Sequence, residues 1–331
     1  MCIRDRQQKV LNPAARVISE ATPPTRTSDP PKILVLGFTT VGALGLGAGL
    51  AFLKEMRRRG FENSQDLEDA IGLPVLAILP FLKAKGVATP GEIRASNSKQ
   101  KAARAVYVES VQRVATRLLV GAGAQETGRA KVVAVTSSFP GEGKTTLSLS
   151  VARQCARSGR RTLLIDGDLR RRTLERLLDL GGQRNGLVQL LNGQCDTLEE
   201  ATVLDHLSDL RILPACGTPE TPMQLLSSRP MIKLLEELRS RYDIIIIDAP
   251  PILAVSDVLA VAESIDSVLF VVRWQRTPRD AVLAAIRELA SADVDFDGLV
   301  LNAVDVRSYG RYGRPDHLYY ASQYGDYYNV K

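Results

Sequence analysis

Three short runs in this 331-residue chain carry residue types suited to phosphate and metal chemistry. The first is SSFPGEGKTT, residues 137–146. Gly141 and Gly143 let backbone N–H groups turn inward around a phosphate, and a helix starting just after them would add the positive end of its dipole. Pro140, Gly141, Glu142, Gly143, Lys144, Thr145 and Thr146 are the expected cradle. Lys144 can reach β- and γ-phosphates, and the Thr145 hydroxyl can ligate Mg²⁺. Position 138 is serine where the strict form of this motif has glycine.

The second run, LLIDGDLRR (163–171), ends a strand with Asp166 and Asp168, two residues apart. That spacing puts both carboxylates on one face of an extended strand. Close carboxylates repel unless a cation or a proton lies between them. Mg²⁺ would relieve the repulsion, leaving one carboxylate able to accept a proton. The third run, IIIIDAPP (244–251), ends an aliphatic strand in Asp248, placed to orient Mg²⁺ directly or through water. A fourth feature is compositional. Tyr309, Tyr312, Tyr319, Tyr320, Tyr324, Tyr327 and Tyr328 crowd the last residues, whereas Tyr107 and Tyr242 are the only others.

These groups need a scaffold, and the pattern around them alternates. Aliphatic runs at 131–137, 161–168, 210–215, 242–250, 267–273 and 298–305 read as buried strands, with helical segments between most of them. One helix has a start signal in TPRDAVLAAIRELA, with Thr277 as N-cap and Pro278 at the first helical position. Alternation of this kind implies a mostly parallel sheet with helices on both faces, binding its ligand at the carboxyl ends of the strands. Tyr107 to Val120 has helical spacing, and 83–103 reads as a polar linker. The apolar stretch within 62–82 reads as a short amphipathic piece packing on the domain.

Residues 33–53 are uncharged and apolar, and as a helix would cover roughly 31 Å, the thickness of a bilayer's hydrocarbon core. Lys54, Arg57, Arg58 and Arg59 follow and place the succeeding segment in the cytoplasm. The proline-rich ATPPTRTSDPPK before it should be extended on the other side. The formal net charge of +6 suits an acidic partner without choosing one. Four scattered cysteines and two histidines give neither a disulfide framework nor a Cys/His metal site.

With these motifs in order, the chain resembles the bacterial tyrosine kinases of the polysaccharide copolymerase type, which act in capsule and exopolysaccharide export. The PGEGKT loop, the DGDLR run, the IIIIDAP strand end and the tyrosine cluster carry the resemblance, from about residue 15 to the end. It implies an α/β P-loop NTPase fold preceded by one transmembrane helix. It implies MgATP on Lys144 and Thr145, Asp166 as base for the incoming tyrosine, Asp168 and Asp248 supporting the metal, and Asn302 against the adenine. The seven tail tyrosines become phosphoacceptors. Expected partners are further copies of the chain, the inner membrane, polysaccharide-biosynthesis and export proteins and a tyrosine phosphatase, with no nucleic acid.

The implied organisation is an extracytoplasmic stub at 1–32, remnant of a periplasmic domain, the membrane helix at 33–53, and a juxtamembrane segment and linker at 54–105. The kinase domain follows at 106–305 and the tail at 306–331. The family's ExxRxxR subunit-contact pattern is only partly present. Glu109 matches, but Gln112 and Ala115 stand where arginines are expected. Two rivals remain. Tail aromatics interleaved with Arg307, Arg311 and Arg314 could stack on single-stranded nucleic acid. A partition- or septum-site-type ATPase would share the fold, but usually carries lysine at the position of Phe139 and lacks both tail and span.

Overall fold

The computed structural model describes residues 32–56, 60–82, 98–120, 129–180 and 182–309. They belong to two units, one running to Arg57 and one starting at Arg58. In the first, Lys32–Met56 is one continuous helix, α1. Its stretch Lys32–Gly49 is wholly exposed and long and apolar enough to cross a membrane.

The second unit is built on an eight-stranded sheet. Its strands are β1 (Val75–Pro80), β2 (Lys131–Ser137), β3 (Thr162–Asp166), β4 (Val203–Leu204), β5 (Arg211–Leu213), β6 (Ile244–Asp248), β7 (Ser267–Arg273) and β8 (Phe296–Val304). Their order across the sheet is β1-β8-β7-β2-β6-β3-β5-β4. The pairings are parallel apart from β4 with β5. The chain runs from β2 out past β6 to β3, then returns and crosses to β7 on the other side of β2. That reversal opens a crevice at the carboxyl ends of the central strands.

Side chains alternate across the sheet and divide the core in two. Val132 and Ala134 of β2, Leu163 and Ile165 of β3, and Ile245 and Ile247 of β6 pack on one side. Helices α5 (Arg229–Arg241) and α6 (Arg279–Ala290) cover them with Met231, Leu235, Leu238, Val282, Ala285 and Leu289. Val133 and Val135, Leu164, and Ile244 and Ile246 face the other way. There α3 (Ser98–Val120) and α4 (Lys144–Arg157) cover them. Burial on both faces explains why β2, β3 and β6 read as unbroken aliphatic runs.

Several expectations change. The piece within 62–82 packs on the domain as expected, through Leu67 of an amphipathic helix, α2 (Ser64–Ile71), but its apolar run is edge strand β1, which pairs in parallel with β8. Asn63 caps α2, its Oδ1 accepting from Asp66 N at 2.8 Å, and Gly72 ends it at φ 79°. The domain therefore takes in residues expected to be a juxtamembrane segment. Helix α3 starts at Ser98, inside the expected linker, and the two-residue β4 was not foreseen. Helix α6 starts one residue late, with Pro278 at the cap, because the Thr277 hydroxyl is engaged elsewhere. Ala115, third position of the partial ExxRxxR pattern, is buried in the core of α3's inner face. Glu109 pairs with Arg113 at 3.4 Å on the outer side.

Candidate active site

Strands β3 and β6 are in register, with Asp166 directly beside Asp248. By the alternation of the core, both carboxylates emerge on the side that carries α4. Helix α4 begins at Lys144, immediately after the PGEG turn. A parallel neighbour pair and one helix start thus bring three sequence motifs together.

The phosphate loop has the required backbone. Gly141 and Gly143 have φ of 83° and 96°. A side chain at Gly143 would also overlap the Asn302 amide, so this position takes only glycine. The first-turn N–H groups of α4 have no carbonyl partner within the helix and so are available to an anion.

Asp166 and Asp248 are fully buried and Asp168 and Lys144 nearly so. Lys144 Nζ donates to Asp168 Oδ2 at 2.9 Å and lies 3.8 Å from Asp248 Oδ1. Ser148 Oγ donates to Asp248 Oδ1 at 3.2 Å. Asp166 Oδ1 accepts from Asp168 N at 3.2 Å, and Asp168 Oδ1 from Arg171 N at 3.2 Å. β3 ends at Asp166, so Asp168 is not on a strand face as expected; the turn beyond the strand folds it back.

Burial pushes the Asp166 carboxyl well above the usual range, and the neighbouring Asp248 and Asp168 push it further. Burial also raises Asp248, against the opposing pull of Lys144 and the Thr145 hydroxyl. For Lys144, burial alone would lower the pKa, but Asp248 and Asp168 outweigh it and hold it raised.

Three buried carboxyl groups face one lysine, so full ionisation would leave an excess of two negative charges. Asp166 Oδ2 and Asp248 Oδ2 are buried without a hydrogen-bond partner. Orphaned acceptor oxygens with that charge excess fit a hard divalent cation such as Mg²⁺. Among the described residues no three side chains enclose an ion by themselves. Mg²⁺ keeps several waters and takes phosphate oxygens, so it needs few protein ligands. Thr145, Asp166, Asp168 and Asp248 are the side chains that would hold it.

Other assignments shift in detail. The Glu142 side chain turns away from the cradle and into the protein. Its carboxylate accepts from Phe139 N at 2.8 Å and from the Thr277 hydroxyl. Burial raises its pKa, opposed by these hydrogen bonds. Asn302 Nδ2 donates to Glu142 O at 2.7 Å, so in this structure it supports the loop. Pro140 and Thr146 lie in the loop and the first turn of α4. Tyr309 is corrected: it is not in the tail but in the core, 2% exposed, in the short helix Val306–Tyr309. Its ring lies 6.2 Å from that of Trp274, and its hydroxyl accepts from Ser64 N at 3.2 Å. Tyr312, Tyr319, Tyr320, Tyr324, Tyr327 and Tyr328 lie outside the described residues. Arg170, the last residue of the DGDLR run, pairs through two hydrogen bonds with the buried Asp257. Sequence reasoning missed Arg273, whose Nη1 donates to Gly141 O at 2.6 Å. A basic residue closing the strand next to β2 was the available signal.

A family model described as an AAA domain matches residues 130–290, the stretch that holds all three motifs. The putative tyrosine-protein kinase EpsB of Ralstonia solanacearum is 31% identical over 98% of this chain and 43% of its own length. The chain thus spans less than half of that longer relative. The tyrosine-protein kinase CpsD of Streptococcus agalactiae is 34% identical over 55% of this chain and 80% of its own length. Among solved structures, the kinase domain of the Escherichia coli tyrosine kinase ETK superposes with a TM-score of 0.60. It is 27% identical over 74% of this chain and 94% of that one. Motifs, fold and relatives agree: the chain belongs to the bacterial tyrosine kinases.

Proposed function

We propose that this chain is an ATP-dependent tyrosine autokinase at the inner membrane, which phosphorylates its own C-terminal tyrosines between subunits and so regulates polysaccharide polymerisation and export. The observation that carries the reading is the buried Asp166–Asp168–Asp248 cluster, with two orphaned oxygens, beside a phosphate loop. Relatives named as tyrosine-protein kinases, and another named as a succinoglycan biosynthesis transport protein, support it. Helix α1 supplies a segment fit to anchor the chain.

The backbone of 141–145 would grip the β- and γ-phosphates, with Lys144 swinging from Asp168 to a phosphate oxygen. Bound Mg²⁺ would neutralise phosphate charge, and Thr145 and Asp248 are the first residues in place to hold it. Asp166 is the base. A phenol has a pKa near 10, so a carboxylate of raised proton affinity is a suitable acceptor for its proton. Each phosphotyrosine adds about −1.5 to −2 charge, so four would offset the chain's +6 and drive tails from neighbouring sites.

Incubation with γ-labelled ATP tests the reading. Label should appear on tyrosines between 312 and 328 and be lost in Lys144→Met. Label that persists in Lys144→Met overturns the site. Sedimentation before and after phosphatase treatment tests the cycle; unchanged oligomer size counts against it.

A further inference from the structure

The turn that follows β7 is gripped on both sides. Towards the phosphate loop, Arg273 holds the Gly141 carbonyl and the Thr277 hydroxyl donates to Glu142. Thr277 Oγ1 also accepts from Arg273 N at 3.1 Å, tying the two residues together. Asn302 adds its bond to the Glu142 carbonyl, and its own carbonyl accepts from Trp274 N at 2.9 Å. Two successive carbonyls of the loop, those of 141 and 142, are thereby fixed on the β7–β8 side.

Away from the loop, the same turn meets residues 60–66, which follow α1 in the chain. Trp274 Nε1 donates to Glu62 O at 2.8 Å and Gln275 N to Phe61 O at 3.2 Å. Arg279 stacks over Phe61, 5.1 Å from its centroid, and pairs with Asp66. The approach at Gly60 is so close that a Cβ there would come 2.6 Å from the Gln275 carbonyl carbon. Gln275 is itself left-handed, at φ 52°. The turn cannot shift without disturbing one grip or the other.

We propose that residues 273–277 are a two-sided clamp on the phosphate loop, in which Thr277 and Arg273 are positioning residues for nucleotide binding. Arg273 holds the Gly141 carbonyl outward and Thr277 holds the Glu142 side chain, while Asn302 holds the Glu142 carbonyl, so that the neighbouring N–H groups face the phosphate. The grip on 60–66 holds the clamp itself in place. The proposal rests on the reading that this loop binds nucleotide phosphate, and deepens it.

The experiment uses the full chain in detergent micelles. Thr277→Val, Thr277→Ser and Arg273→Leu are compared with the parent for the Kd of a fluorescent MgADP, the KM and kcat for ATP, and nucleotide-free thermal unfolding. Thr277→Val and Arg273→Leu should raise Kd and KM together by about tenfold, with kcat within about twofold. Thr277→Ser, which keeps the hydroxyl, should restore both. Arg273→Leu carries the test if Thr277→Val does not fold. Wild-type Kd in a folded Thr277→Val or in Arg273→Leu overturns the clamp and leaves the phosphate-loop reading standing. So does a fall in kcat at unchanged KM. If the parent binds MgADP no better than Lys144→Met, the phosphate-loop reading fails, and the clamp with it.

Discussion

Replacing Asp166 by asparagine should make the nucleotide-free protein more stable and the enzyme inactive. Asp166 is fully buried, one of its oxygens has no partner, and its carboxyl is raised by burial, then by Asp248 and Asp168. An asparagine keeps the acceptor for Asp168 N and turns the orphaned oxygen into an amide donor beside Asp248. Relieving an unsatisfied buried group is worth about 1–3 kcal/mol. A central value of about 2 kcal/mol corresponds to a rise in Tm of roughly 4–8 °C for a domain of this size. The sign of the pH dependence follows. Below the unfolded pKa of 3.8 both folded and unfolded Asp166 hold the proton, and the charge penalty is absent. As pH rises from there to the raised folded pKa, the unfolded chain releases the proton first and the parent loses stability. The advantage of Asp166→Asn should therefore grow above about pH 4 and then level off. Thermal unfolding in EDTA from pH 4 to 8 measures it. MgADP should reverse the order: saturation at a hundredfold excess over Kd adds about 2.7 kcal/mol to the parent and less to the variant. A variant less stable than the parent in EDTA, or a difference flat with pH, refutes the idea that this carboxylate is held under strain for function.

Gly143→Ala forces a side chain into the Asn302 amide at positive φ, and nucleotide affinity should fall about tenfold or more, read by MgADP titration. The buried pair Arg153–Asp205, with bonds of 3.0 and 2.7 Å, ties α4 to the β4–β5 hairpin. Arg153→Met should cost about 3–5 kcal/mol in urea unfolding at neutral pH. Burial pushes Asp205 up, but Arg153 and Ser208 outweigh it and hold it low, so its contribution is present above the unfolded 3.8 and lost as pH falls through the lower folded value. The cost of Arg153→Met should shrink accordingly in acid. Tyr309→Ala should destabilise by about 3–5 kcal/mol. Tyr309→Phe should keep nearly all incorporated phosphate, measured by phosphosite mapping; loss of most label in Tyr309→Phe would return that residue to the acceptor set.

What was legible depended on how local the signal was. The PGEGKT turn, the strand ending in Asp248 and the aliphatic runs of β2, β6 and β7 carry their geometry in consecutive residues, and each is found where its pattern put it. Asp166 was legible as a strand end, whereas Asp168 was assigned to the right cluster for the wrong reason, since a turn and not the strand pleat brings it in. β1 escaped because a six-residue run between Pro74 and Phe81 is ambiguous alone; its partner β8 lies more than two hundred residues away. Glu142 belongs to a motif whose backbone is the usual point of interest, so the inward turn of its carboxylate had no sequence signal. Tyr309 shares the composition of the tail and the packing of the core. Contacts with residues distant in sequence, Trp274 and Ser64 among them, distinguish the two.

The burial of Tyr309 makes it the post of a tether. Each later tyrosine is confined to a sphere centred on that post, with a radius set by the residues between. Tyr312 can stray no farther than about 10 Å, and Tyr328 roughly 65 Å. As the acceptors proposed above, the tyrosines nearest the post could serve only a centre close to it, whereas the most distal could reach a centre on another copy. One buried ring would thereby rank the proposed acceptors by leash length.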